Sequence, residues 1–425
     1  MIFTNARIVT FDRANRLLDS GSVEVRPDGT FGAVAIGRRR GPEVVDAGGR
    51  LLMPALINCH SHLYSALARG IALGGPAPSN FEEILRRVWW RLDRALEMED
   101  VYYSALVGLV DSAKCGVATV IDHHCSPNAC GNSLDAVEAA FRKVGLRGAT
   151  CYETSDRNGR RAAADGIREN IRFAEKRRTG LVGAAFGLHA AFTLSDRTLR
   201  TCVEANRSLQ APFHVHVAEG VRDTGAVRRL TEAGVLGERS LAAHCVHITA
   251  AERGMLARRR VNVVHNPQSN CHNAVGVAGL AAMIRAGVLV GLGSDGYSPR
   301  MWDEFKTAIH LMKLKSRDAR CGYEEAFATA FLSNRSIVEK LWGLSIGRIE
   351  SGSPADFMLL DYFPPTPLHS GNLFGHLLFG IANQAVDSLV VNGRFVVRGG
   401  RCITIDERRL AGKAAARAKT LWSRI

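Results

Sequence analysis

The sequence predicts an α/β fold, a (β/α)8 TIM barrel with a small β-sandwich domain formed by the N- and C-terminal segments. Three observations predict it. Apolar, β-branched runs ending in a polar or ionisable residue alternate with helix-like stretches; the alternation occurs eight times; and the two chain ends carry short, turn-punctuated strands instead. Strands alternating with helices form βαβ units and a parallel sheet. Continuous apolar runs suit strands buried on both faces, and eight units suggest closure into a barrel. A length of 425 residues accommodates a barrel of roughly 250 residues plus a smaller domain.

The eight runs are residues 51–60, 117–124, 147–153, 182–189, 212–219, 241–247, 261–266 and 288–295. The first interval is longer than the others. It holds a Gly-Gly-Pro-Ala-Pro loop at 74–78, expected to lie over the barrel mouth, and a helix over 81–96 with Leu85, Val88, Trp89, Leu92 and Leu96 at helical spacing. At the ends, short strands are expected at 6–11, 22–26, 31–36, 356–360, 388–391 and 394–397, and an amphipathic helix at 406–425. The expected domains are 1–54 with 346–425 for the sandwich and terminal helix, and 55–345 for the barrel.

Composition narrows the class. Ten cysteines are scattered without a C-x-x-C pair, the pattern of reduced, mostly buried thiols in a cytoplasmic protein. The N-terminus lacks the apolar stretch of a signal peptide, and no apolar run reaches membrane-spanning length. The net charge is +14, but the basic residues come in short groups such as 38–40, 176–178 and 258–260. That distribution reads as a solvated arginine-rich surface, so neither a nucleic-acid nor a membrane partner is expected. The expected partner is a small molecule, and a homodimer stays open.

The chemistry lies at the run ends. His60 and His62 are two apart and share one side of a strand end, as do His214 and His216. His189, His216, His244, His265 and Asp295 fall 27, 28, 21 and 30 residues apart, each about one βα unit. A barrel turns that rhythm into convergence on one cavity. Imidazoles with one carboxylate suit Zn2+ first, with Fe2+ as the alternative, and argue against Mg2+ or Ca2+. The fourth run has no lysine to bridge two ions, so one divalent metal is expected. Glu219, just past the fifth run, can reach the water or the leaving group.

These residues resemble the amidohydrolase superfamily. The resemblance rests on His60-Ser61-His62, on His216 with Glu219, on Ala243-His244-Cys245-Val246-His247, on Ser294-Asp295-Gly296 and on Gly352-Ser353-Pro354-Ala355-Asp356. Within it the chain is most similar to the mononuclear deaminase branch that includes guanine and cytosine deaminases. The stretches at 89–96, 120–127, 151–158 and 265–270 resemble SsnA-type aminohydrolases. The resemblance implies metal ligation by His60, His62, His216 and Asp295, with Glu219 shuttling protons, His244 orienting the attacking hydroxide and Asp295 acting as neighbouring base. It places His189 and His265 at the substrate, where Trp89, His124, Arg157, Gln268 and Asn270 are further candidates. Two positions depart from the family pattern: Ala55 replaces the usual Gly, and Cys271-His272 follows Asn270 where relatives often carry Met.

The implied function is a metal-dependent hydrolytic deaminase acting on a C–N bond of a planar nitrogen heterocycle such as a purine or pterin-like ring. Ring-opening hydrolysis of a cyclic amide is the nearest alternative, separated by whether ammonia or a new carboxylate appears. A non-catalytic metal-binding scaffold is the alternative from another class; loss of Glu219 or His244 would have marked it, and both are present.

Overall fold

The computed structural model describes residues 1–72, 74–176 and 180–425. Arg177 and Arg178, from one of the basic groups, lie outside the described residues. The chain begins with β1 (Ile2–Val9), β2 (Leu17–Val25), β3 (Phe31–Ile36), β4 (Val44–Asp46) and β5 (Leu51–Pro54). The central strands are β6 (Leu56–Ser61), β7 (Val117–Asp122), β8 (Arg147–Thr150), β9 (Val182–Ala184), β10 (Phe186–Ala190), β11 (Phe213–Val217), β12 (Ser240–His244), β13 (Asn262–His265) and β14 (Leu289–Leu292). The chain closes with β15 (Phe357–Leu360), β16 (Val386–Val391), β17 (Arg394–Arg398), β18 (Arg401–Cys402) and the helix Glu407–Trp422, capped by the Asp406 carboxylate.

The central strands form two parallel sheets, β6-β7-β8-β9 and β10-β11-β12-β13-β14. Isolated parallel bridges tie their edges, Thr154 to Leu188 on one side and Ser61 to Asp295 on the other. Their residues are almost uniformly buried on both faces, which is why these runs read as continuously apolar rather than alternating.

Two expected runs are each divided. The run at 51–60 is two strands in two sheets: Pro54 has no N–H to continue a ladder, and Ala55 instead donates to Asp356 O. The run at 182–189 breaks at Ala185, whose N–H bonds Thr150 O while β10 turns to pair with β11.

Strands from the two chain ends share one sheet. β5 pairs with both β1 and β15, joining the termini in one nine-stranded sheet. Phe3, Phe31 and Phe357 fill a separate core under it, packed edge-on and tilted. Arg147 at the start of β8 reaches across to this sheet. Its Nε donates to Asp356 Oδ2 at 2.6 Å and its Nη2 to Asn392 Oδ1 at 2.7 Å, with both charged side chains buried.

The helix expected over 81–96 forms with an insertion. Regular turns at Phe81–Ile84 and Trp90–Ala95 flank a π-type stretch, Leu85–Trp89. Wider i→i+5 turns of this kind are frequent at functional sites. No helix among the described residues is long and apolar enough to cross a membrane.

Candidate active site

The site assembles where parallel strands end. His60 O accepts from both Ser294 N (3.0 Å) and Asp295 N (2.9 Å), so the first and last strands of the series deliver His60 and Asp295 to one point. His62 Nδ1 donates to His123 O at 2.6 Å, and His216 Nδ1 donates to His189 O at 2.8 Å. A proton committed at Nδ1 leaves a lone pair at Nε2 of the neutral ring. Those two Nε2 atoms are 3.1 Å apart. Asp295 Oδ1 lies 3.0 Å from His62 Nε2 and 3.5 Å from His60 Nε2, and the latter atom is buried with no hydrogen-bond partner.

One ligand atom from each of His60, His62, His216 and Asp295 lies within 4.8 Å of all the others. Such a gathering of acceptors in a buried place needs a positive charge between them. Where no metal neutralises it, a proton must. His62 is raised to about 9, with burial opposing and the Asp295 hydrogen bond and charge prevailing. Burial and the crowd of neighbouring imidazoles push His216 well down, and burial takes His60 down to about 3. Three nitrogens and one carboxylate oxygen therefore fit a tetrahedral divalent ion of the zinc type.

Two further groups face this cluster. His244, fully buried, places Nε2 at 3.5 Å from Glu219 Oε2 and 3.8 Å from Asp295 Oδ2. Its Nδ1 donates to Asn270 Oδ1 at 2.9 Å, which fixes the ring. Burial pushes the Glu219 carboxyl up to about 7, against the pull of His244. Asp295 Oδ2 accepts from Ser269 Oγ at 2.5 Å. The backbone is unusual at these strand ends: φ is +48° at Ala218, +73° at His244, +51° at Cys245 and +57° at Asp295. L-residues rarely adopt such values outside functional or tightly constrained places.

A cavity opens onto the cluster, lined by His62, His216, Glu219 and Asp295 and also by Trp89, Arg157 and His189 from the sequence-derived set. Four other members of that set do not lie on its wall. Asn270 sits behind His244; His124 is buried against Ser126 Oγ at 2.8 Å; His265 is buried with Nδ1 unpartnered; Gln268 donates its backbone N–H to Glu304 Oε2 at 3.0 Å. Strand phase gives the ring of positions around the cavity, but not which of them reach its surface.

Sequence reasoning also left groups unassigned. Trp90, Asp93 and Glu153 line the cavity. Arg157 Nη1 donates to Glu153 Oε1 at 2.8 Å and its Nη2 to Asp93 Oδ2 at 2.5 Å. Burial pushes the Asp93 carboxyl up; Glu153, which burial would also raise, is held down by His189 and Arg157. His214 lies deeper than its neighbour His216, its Nε2 at 2.8 Å from His60 Nδ1. The Glu153-x-x-x-Arg157 spacing was the available signal for the ion pair, though nothing in the sequence linked it to Asp93 sixty residues earlier.

Comparison with known proteins places this geometry. The model of the Amidohydrolase family matches residues 51–396. A 5-methylthioadenosine/S-adenosylhomocysteine deaminase of Desulforudis audaxviator is 31% identical over 413 residues, covering 92% of each chain. A 5'-deoxyadenosine deaminase of Methanosarcina mazei is 27% identical, covering 100% of this chain and 99% of that one. Among solved structures, a zinc-bound adenosine deaminase from Xanthomonas campestris superposes with a TM-score of 0.86 at 23% identity, over 99% of this chain and 98% of that one. At that identity the likeness speaks for the fold.

Proposed function

The chain belongs to the amidohydrolase family, and on that premise we propose that it is a metal-dependent hydrolytic deaminase of planar nitrogen heterocycles, purine-like rings foremost. It is a hydrolase acting on carbon–nitrogen bonds other than peptide bonds. One observation carries the mechanistic reading: Glu219 and Asp295 both face His244 Nε2, beside the four-donor cluster.

His60, His62, His216 and Asp295 would hold one divalent ion, zinc by their nitrogen-rich donor set. When bound, the ion supplies the Lewis acidity that lets water act as a nucleophile near neutral pH. The chain's own groups do the rest. His244 Nε2 orients the water, with Asn270 fixing the ring from behind. Asp295 Oδ2, outside the contacts that His60 and His62 make with Oδ1, accepts a proton. Glu219, raised by burial to about 7 and so available in its protonated form near neutral pH, donates to the ring nitrogen and recovers a proton for the departing amine. Water oxygen ends as the ring carbonyl, and nitrogen leaves as ammonia.

The architecture supports this reading. The parallel bridges at both edges support one closed eight-unit barrel, with β9 and β10 serving as the fourth unit's strand. The phenylalanine core supports a terminal sheet folded over on itself as the expected sandwich, with the domain boundary at Pro54 and Ala55. The test is metal analysis with an ammonia-release screen over purines, pyrimidines and pterins. A new carboxylate without ammonia would replace deamination by ring opening, and a metal-free, inactive protein would reject the proposal.

A further inference from the structure

The cavity wall is strongly one-signed. Five carboxylates line it, from Asp93, Glu153, Glu219, Asp223 and Asp295, and among its described lining residues Arg157 is the only lysine or arginine. With Glu219 carrying its proton, a divalent ion and Arg157 together offset three of the remaining four charges and leave one. Arg157 is itself already engaged. Its Nη1 is given to Glu153 and its Nη2 to Asp93 and to Cys125 Sγ, and the side chain is 7% exposed. A guanidinium recognises a ligand carboxylate by presenting two parallel N–H groups, and here only Nε is left without a partner. Asp93 is 1% exposed, lines the cavity, and its Oδ1 accepts no hydrogen bond. A ligand is asked to bring a donor, and an anionic ligand finds no free guanidinium edge and a wall with an excess of negative charge.

We propose that this cavity selects neutral or cationic ring substrates and rejects those bearing a carboxylate, with the Asp93–Arg157–Glu153 triad as the selecting element. The inference rests on the deaminase reading and adds to it. Of the two substrates named for the Desulforudis relative, the thioether without a carboxylate is the one this pocket accommodates. A ligand carboxylate close to one uncompensated carboxylate in a water-poor cavity is repelled, and the expected discrimination is at least tenfold.

The test is binding by titration calorimetry to the zinc-loaded protein, with three ligands that differ only at the 5' position: adenosine, 5'-amino-5'-deoxyadenosine and adenosine-5'-carboxylate. The expected result is a carboxylate at least tenfold weaker than adenosine, with the amine equal to adenosine or tighter. Asp93→Asn removes one charge while keeping an acceptor for Nη2, so it should narrow the carboxylate deficit about tenfold; Glu153→Gln should act in the same direction. Equal binding of carboxylate and adenosine, or binding of none of the three, overturns the proposal. So does an unchanged ratio in both variants. Ammonia release by the wild type is read separately. Release with no charge discrimination rejects the selectivity alone, and discrimination without release from any ring rejects the deaminase reading alone.

Discussion

Asn270 offers a test of how His244 is set. Its Oδ1 accepts the Nδ1–H of His244 at 2.9 Å, and both side chains are fully buried. A competing neighbour, Asn266 Nδ2, stands 3.4 Å from the same Nδ1. In the wild type the closer acceptor keeps the proton on Nδ1 and leaves Nε2 to face Glu219 and Asp295. In Asn270→Ala the remaining neighbour is a donor, which favours the other tautomer and turns an N–H toward the reacting centre. An unsatisfied buried donor costs about 1–3 kcal/mol, which corresponds to a fall in kcat of roughly 5- to 150-fold. KM should move little, because Asn270 does not line the cavity. The assay is steady-state ammonia release, with metal content and melting temperature measured on the same preparation. Asn270→Asp keeps an acceptor and should recover part of the loss. A kcat within twofold of wild type, with metal intact, would refute the positioning role.

Four further outcomes are expected. Glu219→Gln should keep its metal and lose about 10²–10⁴-fold in kcat, the usual share of a general acid–base group; full activity would remove Glu219 from the mechanism. His216→Ala should lose metal by elemental analysis, because one of four ligand atoms is gone. Asp356→Ala strands the buried Arg147 guanidinium and should cost about 3–5 kcal/mol in denaturant unfolding, with Asp356→Asn milder because it keeps an acceptor for Arg147. Burial raises the Glu304 carboxyl well above 4.5. Below pH 4.5 it is protonated folded or unfolded; above it the unfolded chain ionises first, so its contribution to stability falls by up to about 1.4 kcal/mol per pH unit. Glu304→Gln should therefore gain stability on wild type between pH 5 and pH 7, and a flat difference would contradict the burial argument.

Strand phase was the strongest signal in the sequence. His60, His62, His216, His244 and Asp295 all stand at or just past the ends of apolar runs, and the backbone brings every one of them together. What phase does not encode is depth. His214 and His216 share a side of β11, yet two residues along a strand is a step of about 6.6 Å, enough to put His214 behind His60 and His216 beside His62. His265 ends its run in phase and still misses the cavity surface. The Asp93–Arg157 pair was hidden for a different reason. Asp93 follows Trp89 by four residues, on the same side of the helix and among the cavity-lining residues, while Arg157 stands in the turn after β8. A hydrophobic pattern registers the apolar residues of that face and not a buried carboxylate among them. The run at 51–60 concealed its division because both of its strands are fully buried, leaving Pro54 as the sole punctuation.

The positive-φ residues explain how so many acceptors are kept together. Four of the thirteen non-glycine examples among the described residues stand at the ends of β11, β12 and β14: Ala218, His244, Cys245 and Asp295. Each left-handed L-residue costs roughly 1–2 kcal/mol, so a chain free to relax would turn these side chains elsewhere. It is not free. Cys245 N bonds Val217 O, His247 N bonds Ala218 O, Ala218 N bonds Asp223 Oδ2 and Asp295 N bonds His60 O, all between 2.8 and 2.9 Å. Ala218, Cys245 and Asp295 are thus each held by a bond to the adjoining strand or loop, and His244 by the bond from its ring to Asn270. The same turn that strains His244 sets its ring between Asn270 and Glu219, and the one at Asp295 sets its carboxylate between His62 and Ser269. Stability is given up at the strand ends, where a loop can be reshaped, while the buried strands behind them carry the burial that offsets it. An extended backbone at these positions would be locally more stable and would disperse the donors that an ion requires.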